Sequence, residues 1–172
     1  VSVGDANTAP QQDEAVKLLG QSGENVVVNT QSFNMHERPM FFAELLPQLA
    51  SLRARCGRPH WLLIDEAHHL LPVARGDAGV VLPESLPAVV FITVHPEAVA
   101  VEALDTVQTV VALGPEARGV IDAFCKAVGD APPPPNEPLE EDEVLYWSRT
   151  SGAPPAPLSA HRPEQKRKRH TL

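Results

Sequence analysis

Short apolar runs alternate with stretches of helical periodicity over the first 130 residues of the chain. Aliphatic and β-branched residues dominate the runs, and these residue types favour strands. The predicted strands are residues 1–5, 26–28, 61–64, 88–94, 107–113 and 143–147. The predicted helices are residues 13–19, 37–55, 97–104 and 115–128, with a short additional helix that ends near Pro72.

The segment 37–55 has the clearest helical pattern. Its apolar positions recur at spacings of four, four and three. This spacing places four apolar side chains on one helix face: Phe41, Leu45, Leu49 and Leu52. Pro47 lies inside this pattern. Because proline removes a backbone donor and crowds the preceding turn, we expect it to kink or split the helix.

The predicted strands are apolar on both faces, as parallel strands covered by helices are. We therefore expect an α/β domain over residues 1–130, with a mostly parallel sheet flanked by helices. Residues 131–142 are proline-rich and acidic and predict an extended linker. Residues 143–147 predict a final strand, and residues 148–172 a proline-rich, basic, disordered tail.

Composition narrows the class of protein. The chain has 172 residues, of which 43% are hydrophobic and 21% are charged, as in an ordinary globular protein. An apolar run of about 18 residues is absent from the sequence, so no contact with the membrane interior is expected. The two cysteines, Cys56 and Cys125, are too few for a disulfide framework, and they favour the reducing cytoplasm.

The net charge of −8 is unevenly distributed. Residues 162–172 contain five basic residues and one acidic residue, a charge of +4, so residues 1–161 carry −12. An acidic body repels nucleic acid. Any contact with nucleic acid is therefore expected to be weak, salt-sensitive and confined to the basic tail.

Candidate chemistry concentrates where the third predicted strand ends. Four apolar residues, 61–64, are followed by Asp65 and Glu66. In open α/β sheets, ligands bind outside the carboxyl ends of the strands. There Asp65 can hold a hydrated Mg²⁺, and Glu66 can orient or deprotonate a water aimed at a phosphoryl group. The alternative is that one of these carboxylates only caps the next helix.

The stretch "WLLIDEAH" resembles the Walker B element of P-loop NTPases, and its last four letters also spell the DEAH box of superfamily-2 helicases. The order of the elements is similar to the later part of a RecA-like motor domain of the HerA/FtsK type. A wider pattern, "RPHWLLIDEAHHLLP", "ITVHPEAV" and "HRPEQKRKRH", is similar to ATPase-like regions of bacterial haloacid-dehalogenase-type hydrolases. The resemblance covers roughly residues 1–147.

This resemblance implies Mg²⁺ and ATP as cofactors of the complete domain. It makes Asp65 the Mg²⁺ partner and Glu66 the carboxylate that activates water. Thr93 and His95, which end the following strand, would contact the γ-phosphate or the attacking water. His68 is expected beside Glu66 and the nucleotide.

A Walker A loop is missing from the sequence. Phosphate binding in this family requires G-x-x-x-x-G-K-[ST], and none of the ten glycines is followed by lysine. We therefore expect no tight nucleotide binding by this chain alone. The expected partner is an upstream P-loop or hydrolase region of a longer parent protein. The phosphatase motif D-x-D-x-T is also absent, so phosphatase activity is not expected of this chain.

Two other functions remain open. One is a non-catalytic interaction module, in which an open sheet edge recruits another strand or a second copy of the chain. The other is a DEAH helicase fragment, which the acidic body and the short remaining chain disfavour. His68 and His69 follow the carboxylates, but a metal site would need further ligands at helical or loop spacing. Cys56, His60 and His36 are scattered without metal-ligand spacing, so a zinc site is not expected.

Overall fold

The structure, a computed structural model, describes residues 1–21, 23–58, 60–73, 88–136, 138–140 and 142–159. Over these residues the protein is a mixed α/β structure of helices and small sheets. None of the helices described there is long and apolar enough to cross a membrane. The basic end, 162–172, lies outside the described residues, and so does any contact predicted for it.

The chain divides into two compact units, Val1–Thr106 and Val107–Leu172. The first contains β1 Ser2–Val3, α1 Gln12–Gly20, β2 Val27–Val28, α2 Glu37–Cys56, β3 Leu62–Ile64, α3 Ala67–Leu70, β4 Val89–Phe91, a 3₁₀ turn Pro96–Ala98 and α4 Val101–Leu104. The second contains β5 Thr109–Ala112, α5 Ala117–Val128, β6 Glu143–Ser148 and β7 Ala156–Ser159.

The first unit contains two parallel strand pairs, β1 with β2 and β3 with β4. They form two separate two-stranded sheets where one mostly parallel sheet was expected. The strands are shorter than the apolar runs because local contacts end them. After β4, for example, the hydroxyl of Thr93 accepts the N–H of His95 at 3.0 Å, and Pro96 then starts the 3₁₀ turn.

Helix α2 contributes more buried side chains to the core of the first unit than any other described element. Its buried side chains are Phe41, Phe42, Leu45, Leu46, Leu49 and Leu52. Three of them form one cluster with Val3 of β1 and Ala15 of α1. The face predicted from the spacing is therefore confirmed, and it anchors the β1–β2 pair and α1.

Pro47 was predicted to kink or split α2. The split is wrong, since the helix runs without a break from Glu37 to Cys56, and the kink stays a prediction. Pro47 is exposed. Water can therefore hydrate the carbonyl that loses its helical donor. The helix ends at Gly57, whose φ of 62° is the left-handed conformation that glycine adopts without strain.

Unlike α2, the helix predicted over 97–104 is interrupted. A 3₁₀ turn occupies Pro96–Ala98, and α4 starts at Val101. Between them, the buried and extended Val99 forms an isolated antiparallel bridge with Pro72. This bridge ties the chain after α3 to the chain after β4.

The second unit is a three-stranded antiparallel sheet with one helix. Strand β6 lies between β5 and β7, with Val110 opposite Trp147 and Val144 opposite Leu158. Phe124 of α5 meets Trp147 edge to face, at 6.3 Å between ring centroids. Strand β5 was expected in the parallel sheet, and this expectation is wrong because β5 pairs with β6 in the antiparallel direction.

Residues 148–159, predicted to belong to a disordered tail, are ordered in the structure. Strand β7 lies in this segment and hydrogen-bonds with β6 over four residue pairs. Composition alone does not reveal such a pairing, because the partner strand supplies the hydrogen bonds. Residues 131–136 of the predicted linker have no regular structure, and Arg118 donates hydrogen bonds to the carbonyls of Pro133 and Pro134.

Asp130 and Arg149 connect the end of α5 to the residue after β6. The guanidinium donates to both carboxylate oxygens, at 2.5 and 3.2 Å. The pKa of Asp130 lies below its ordinary value of 3.8, mainly because the carboxylate accepts hydrogen bonds from Arg149. A carboxyl group of this kind stabilises the fold above pH 3.8 and loses that contribution as the pH falls through its lower folded pKa.

We predict that Asp130→Asn lowers the free energy of unfolding at neutral pH. The difference from wild type should shrink as the pH falls through the lowered folded pKa of Asp130, because the wild-type carboxyl then becomes protonated as well. Urea denaturation at a series of pH values measures this difference. Glu24→Gln, at an exposed carboxyl of the first unit, is the control and should show no such trend. A difference that is constant with pH would contradict the assignment.

Candidate functional site

Two backbone hydrogen bonds join the end of β3 to the end of β4. The N–H of Ile92 donates to the carbonyl of Ile64, and the N–H of Ala67 donates to the carbonyl of Ile92, both at 2.9 Å. The first residue of α3 is therefore fixed beside the residue that precedes Thr93. Side chains 25 positions apart in the sequence become neighbours at this edge.

Asp65 and Glu66 occupy the tight turn between β3 and α3. Glu66 has φ 50° and ψ 48°, the left-handed region that side chains other than glycine rarely adopt. The carboxylate Oδ1 of Asp65 accepts the N–H of Glu66 at 3.0 Å, which stabilises the turn. Neither side chain caps α3 with a hydrogen bond, so the capping alternative is not what the structure shows.

His68 lies between Glu66 and Thr93. Its side chain is only 12% exposed, and its Nδ1 lies 2.9 Å from the Thr93 hydroxyl oxygen and 3.5 Å from Glu66 Oε2. The Thr93 hydroxyl therefore contacts His68 and also accepts the backbone N–H of His95. The structure thus brings together Glu66, His68 and Thr93.

His95 joins the same group from the side of β4. Its ring stands edge to face with the ring of His68, at 5.4 Å between centroids. Its Nδ1 is 3.1 Å from Oε1 of Glu97. The pKa of Glu97 is lowered, mainly because its carboxylate accepts a hydrogen bond from the backbone N–H of Glu97 itself. The hydrogen bond with His95 also lowers this pKa.

Asp65 is exposed next to this group but is not joined to it by side-chain bonds. Within the described part of the chain, its carboxylate shares no hydrogen bond or ion pair with His68, Thr93 or His95. Oδ2 of Asp65 is therefore available to an outside ligand. A single exposed carboxylate of this kind fits Mg²⁺, which keeps most of its waters when it binds a protein.

His69 was considered only as a metal ligand without enough partners, and the structure places it in the same group. Its ring lies 4.0 Å from that of His68, centroid to centroid. Burial, and then the neighbouring His68, lower the pKa of His69 below 6.5, so its ring is neutral at physiological pH. One ligand atom from each of Glu66, His68 and His69 lies within 4.8 Å of the other two. The signal in the sequence was the histidine pair two residues after a glutamate.

One face of the β3–β4 pair is apolar and exposed. Leu63 and Val90 are paired neighbours on this face, and they are 67% and 38% exposed. Trp61, just before β3, and Ile92 and Val94, just after β4, are also exposed. On the other face, Leu62 packs against the core cluster of α2. An uncovered apolar sheet face next to a polar site is typical of a surface that another segment or protein covers.

We predict that glycine is more stabilising than alanine at position 66, because the backbone there has a positive φ. Glu66→Gly and Glu66→Ala both remove the carboxylate, and only glycine relieves the left-handed backbone. The glycine variant should exceed the alanine variant by about 1 kcal/mol in free energy of unfolding.

The same pair of substitutions at Glu44, an exposed position within α2, is the control. There the order should reverse, because glycine is less stable than alanine inside a helix. Urea denaturation of the four variants measures both differences. Equal stability of the two variants at position 66 would show that this residue does not hold a left-handed conformation in solution.

No model of a known protein family matches the chain, and no curated protein matches it either. A functional assignment therefore depends on the chemistry of the residues at the end of β3 and β4. Those residues are two exposed carboxylates, a threonine hydroxyl and three histidines, held together by a parallel strand pair.

Proposed function

We propose that this chain is the Walker B part of a RecA-like P-loop NTPase domain. The domain would hydrolyse ATP with Mg²⁺ once a P-loop from outside the chain completes it. The observation that carries the proposal is the position of Asp65 and Glu66 at the carboxyl end of β3, next to a parallel strand that ends in Thr93. In α/β proteins this edge of the sheet is where ligands bind.

Asp65 is the proposed Mg²⁺ partner. Its Oδ1 is held by the N–H of Glu66, so the carboxylate has a defined orientation while Oδ2 remains available. Bound Mg²⁺ would neutralise charge on the phosphate oxygens. The chain itself contributes few other groups to phosphate binding, which is why the P-loop must come from elsewhere.

Glu66 is the proposed water-activating carboxylate. It is 55% exposed at the side chain and can therefore reach a water molecule outside the strand ends. The 3.5 Å approach of His68 Nδ1 restricts its position. Because His68 is also hydrogen-bonded to Thr93, it connects Glu66 to the end of β4. Thr93 and His95 are the proposed contacts to the γ-phosphate or to the attacking water.

The exposed apolar face of the β3–β4 pair supports a larger parent protein. Both faces of a parallel sheet are normally covered, yet Leu63 is 67% exposed. We propose that the P-loop-bearing region, part of a bacterial hydrolase-fused protein, covers this face. Cys56 and Cys125 are free thiols, which fits a role in the cytoplasm.

A non-catalytic interaction module is the second candidate, and the same exposed face favours it. In that case a second copy of the chain would cover Leu63 and Val90, and no nucleotide would bind. Light scattering that shows a dimer of this chain, together with a parent protein that does not bind ATP, would favour the module. A DEAH helicase fragment is the third candidate, and no feature of the described residues favours it.

In a protein that joins this chain to a P-loop region, we predict that Glu66→Gln reduces ATP turnover at least 100-fold and leaves Mg·ATP binding unchanged. Loss of a general base typically costs about 10²–10⁴ in rate, and the amide keeps the shape of the side chain. Phosphate release and nucleotide binding are measured side by side. Glu102→Gln, at an exposed carboxyl of α4, is the control and should keep full turnover. Retained turnover in Glu66→Gln would remove Glu66 from this role.

The chain alone should show no binding of Mg·ATP in the micromolar range by calorimetry, because it lacks a phosphate loop. The protein with the P-loop region should bind. Micromolar binding by the chain alone would contradict the claim that it is incomplete.

A further inference from the structure

The Glu66, His68 and His69 side chains form a cluster whose donor set differs from that of a magnesium site. Two imidazoles and one carboxylate offer ligand atoms within 4.8 Å of one another. Mg²⁺ prefers oxygen ligands, whereas imidazole suits Zn²⁺ and other first-row transition metals. Two histidines and one glutamate are also a donor set of zinc sites that keep an open coordination position.

His68 provides a fixed point for such a site. It is 12% exposed, and its Nδ1 is bonded to the Thr93 hydroxyl at 2.9 Å. A partner that holds one ring nitrogen of a metal-binding histidine orients the ring and sets its tautomer. Thr93, tied to the backbone N–H of His95, is a partner of this kind.

The other two ligands can close around an ion by side-chain rotation. Ligand atoms of tetrahedral zinc are roughly 3.4 Å apart, given bonds of about 2.0–2.1 Å. The ligand atoms of the three residues, which lie within 4.8 Å of one another, therefore have to move closer together to share an ion. Glu66, with a side chain that is 55% exposed, has room for this movement.

We propose that Glu66, His68 and His69 bind a divalent transition-metal ion such as Zn²⁺, at a site distinct from the Mg²⁺ position at Asp65. Water fills the remaining coordination positions. The binding of the ion requires no nucleotide and no P-loop, so it stands independently of the proposed ATPase function. When Zn²⁺ is bound, the Glu66 carboxylate is engaged as a ligand and cannot act on a water molecule.

The test is a calorimetric titration of the whole 172-residue chain with Zn²⁺ at neutral pH, with Co²⁺ as an absorption probe of coordination. Wild type should bind one equivalent in the micromolar range, and excess Mg²⁺ should not displace it. Bound Co²⁺ should show the visible bands of a four- or five-coordinate ion. His69→Ala and Glu66→Gln should each weaken Zn²⁺ binding at least tenfold.

Thr93→Val tests the orientation of His68 without removing a ligand. It should weaken Zn²⁺ binding about 10- to 100-fold while the stoichiometry remains one. His36→Ala, at an exposed histidine before α2, is the matched control and should bind as wild type does. Circular dichroism of every variant checks that the fold is retained, and a conservative His69→Gln replaces His69→Ala if that variant does not fold.

Three results would overturn the proposal. They are the absence of micromolar Zn²⁺ binding by wild type, equal affinities of the His69 and His36 variants, and displacement of Zn²⁺ by Mg²⁺. None of them bears on ATP turnover in the protein with a P-loop, so the failure of the metal site and the failure of the ATPase assignment are distinguishable.

Discussion

Two backbone hydrogen bonds at the end of β3 organise the chemistry of this protein. One runs from Ile92 to the Ile64 carbonyl, and the other from Ala67 to the Ile92 carbonyl. Together they fix the first turn of α3 against the end of β4. They continue the pairing of β3 with β4 beyond the strand ends and so place Glu66 and His68 beside Thr93. Main-chain hydrogen bonds therefore position the side chains of the candidate site.

Glu66 has an unfavourable backbone conformation and lies in the turn that follows β3. A left-handed conformation costs about 1–2 kcal/mol for a residue with a side chain, and the fold maintains it through the Asp65 contact and the strand-end bonds. Residues held in such conformations cluster at functional sites. The turn directs one carboxylate toward His68 and leaves its neighbour, Asp65, exposed to an outside ligand. Two adjacent acidic residues thus acquire different surroundings and can serve different purposes.

An apolar sheet face is exposed beside the candidate site. The β3–β4 pair packs one face on the α2 core and exposes Leu63, Val90 and Trp61 on the other. The charge distribution limits what can cover that face, since residues 1–161 carry −12. Nucleic acid and acidic membrane surfaces would be repelled, whereas an apolar protein surface would not.

The sequence by itself determined the elements whose signal is local. The apolar spacing in α2, the hydrophobic run of β3 and the carboxylates directly after it are short-range patterns, and they predict where these elements lie and which residues stand at the strand end. The tertiary structure alone decided what depends on distant partners. It set the antiparallel direction of β5 with β6 and the pairing of β7 with β6. It also decided that α2 continues through Pro47 and that His69 lies beside Glu66 and His68. The physical reason is that a strand direction, a hydrated carbonyl or a shared ligand position depends on which groups meet in space, and periodicity along the chain does not encode that.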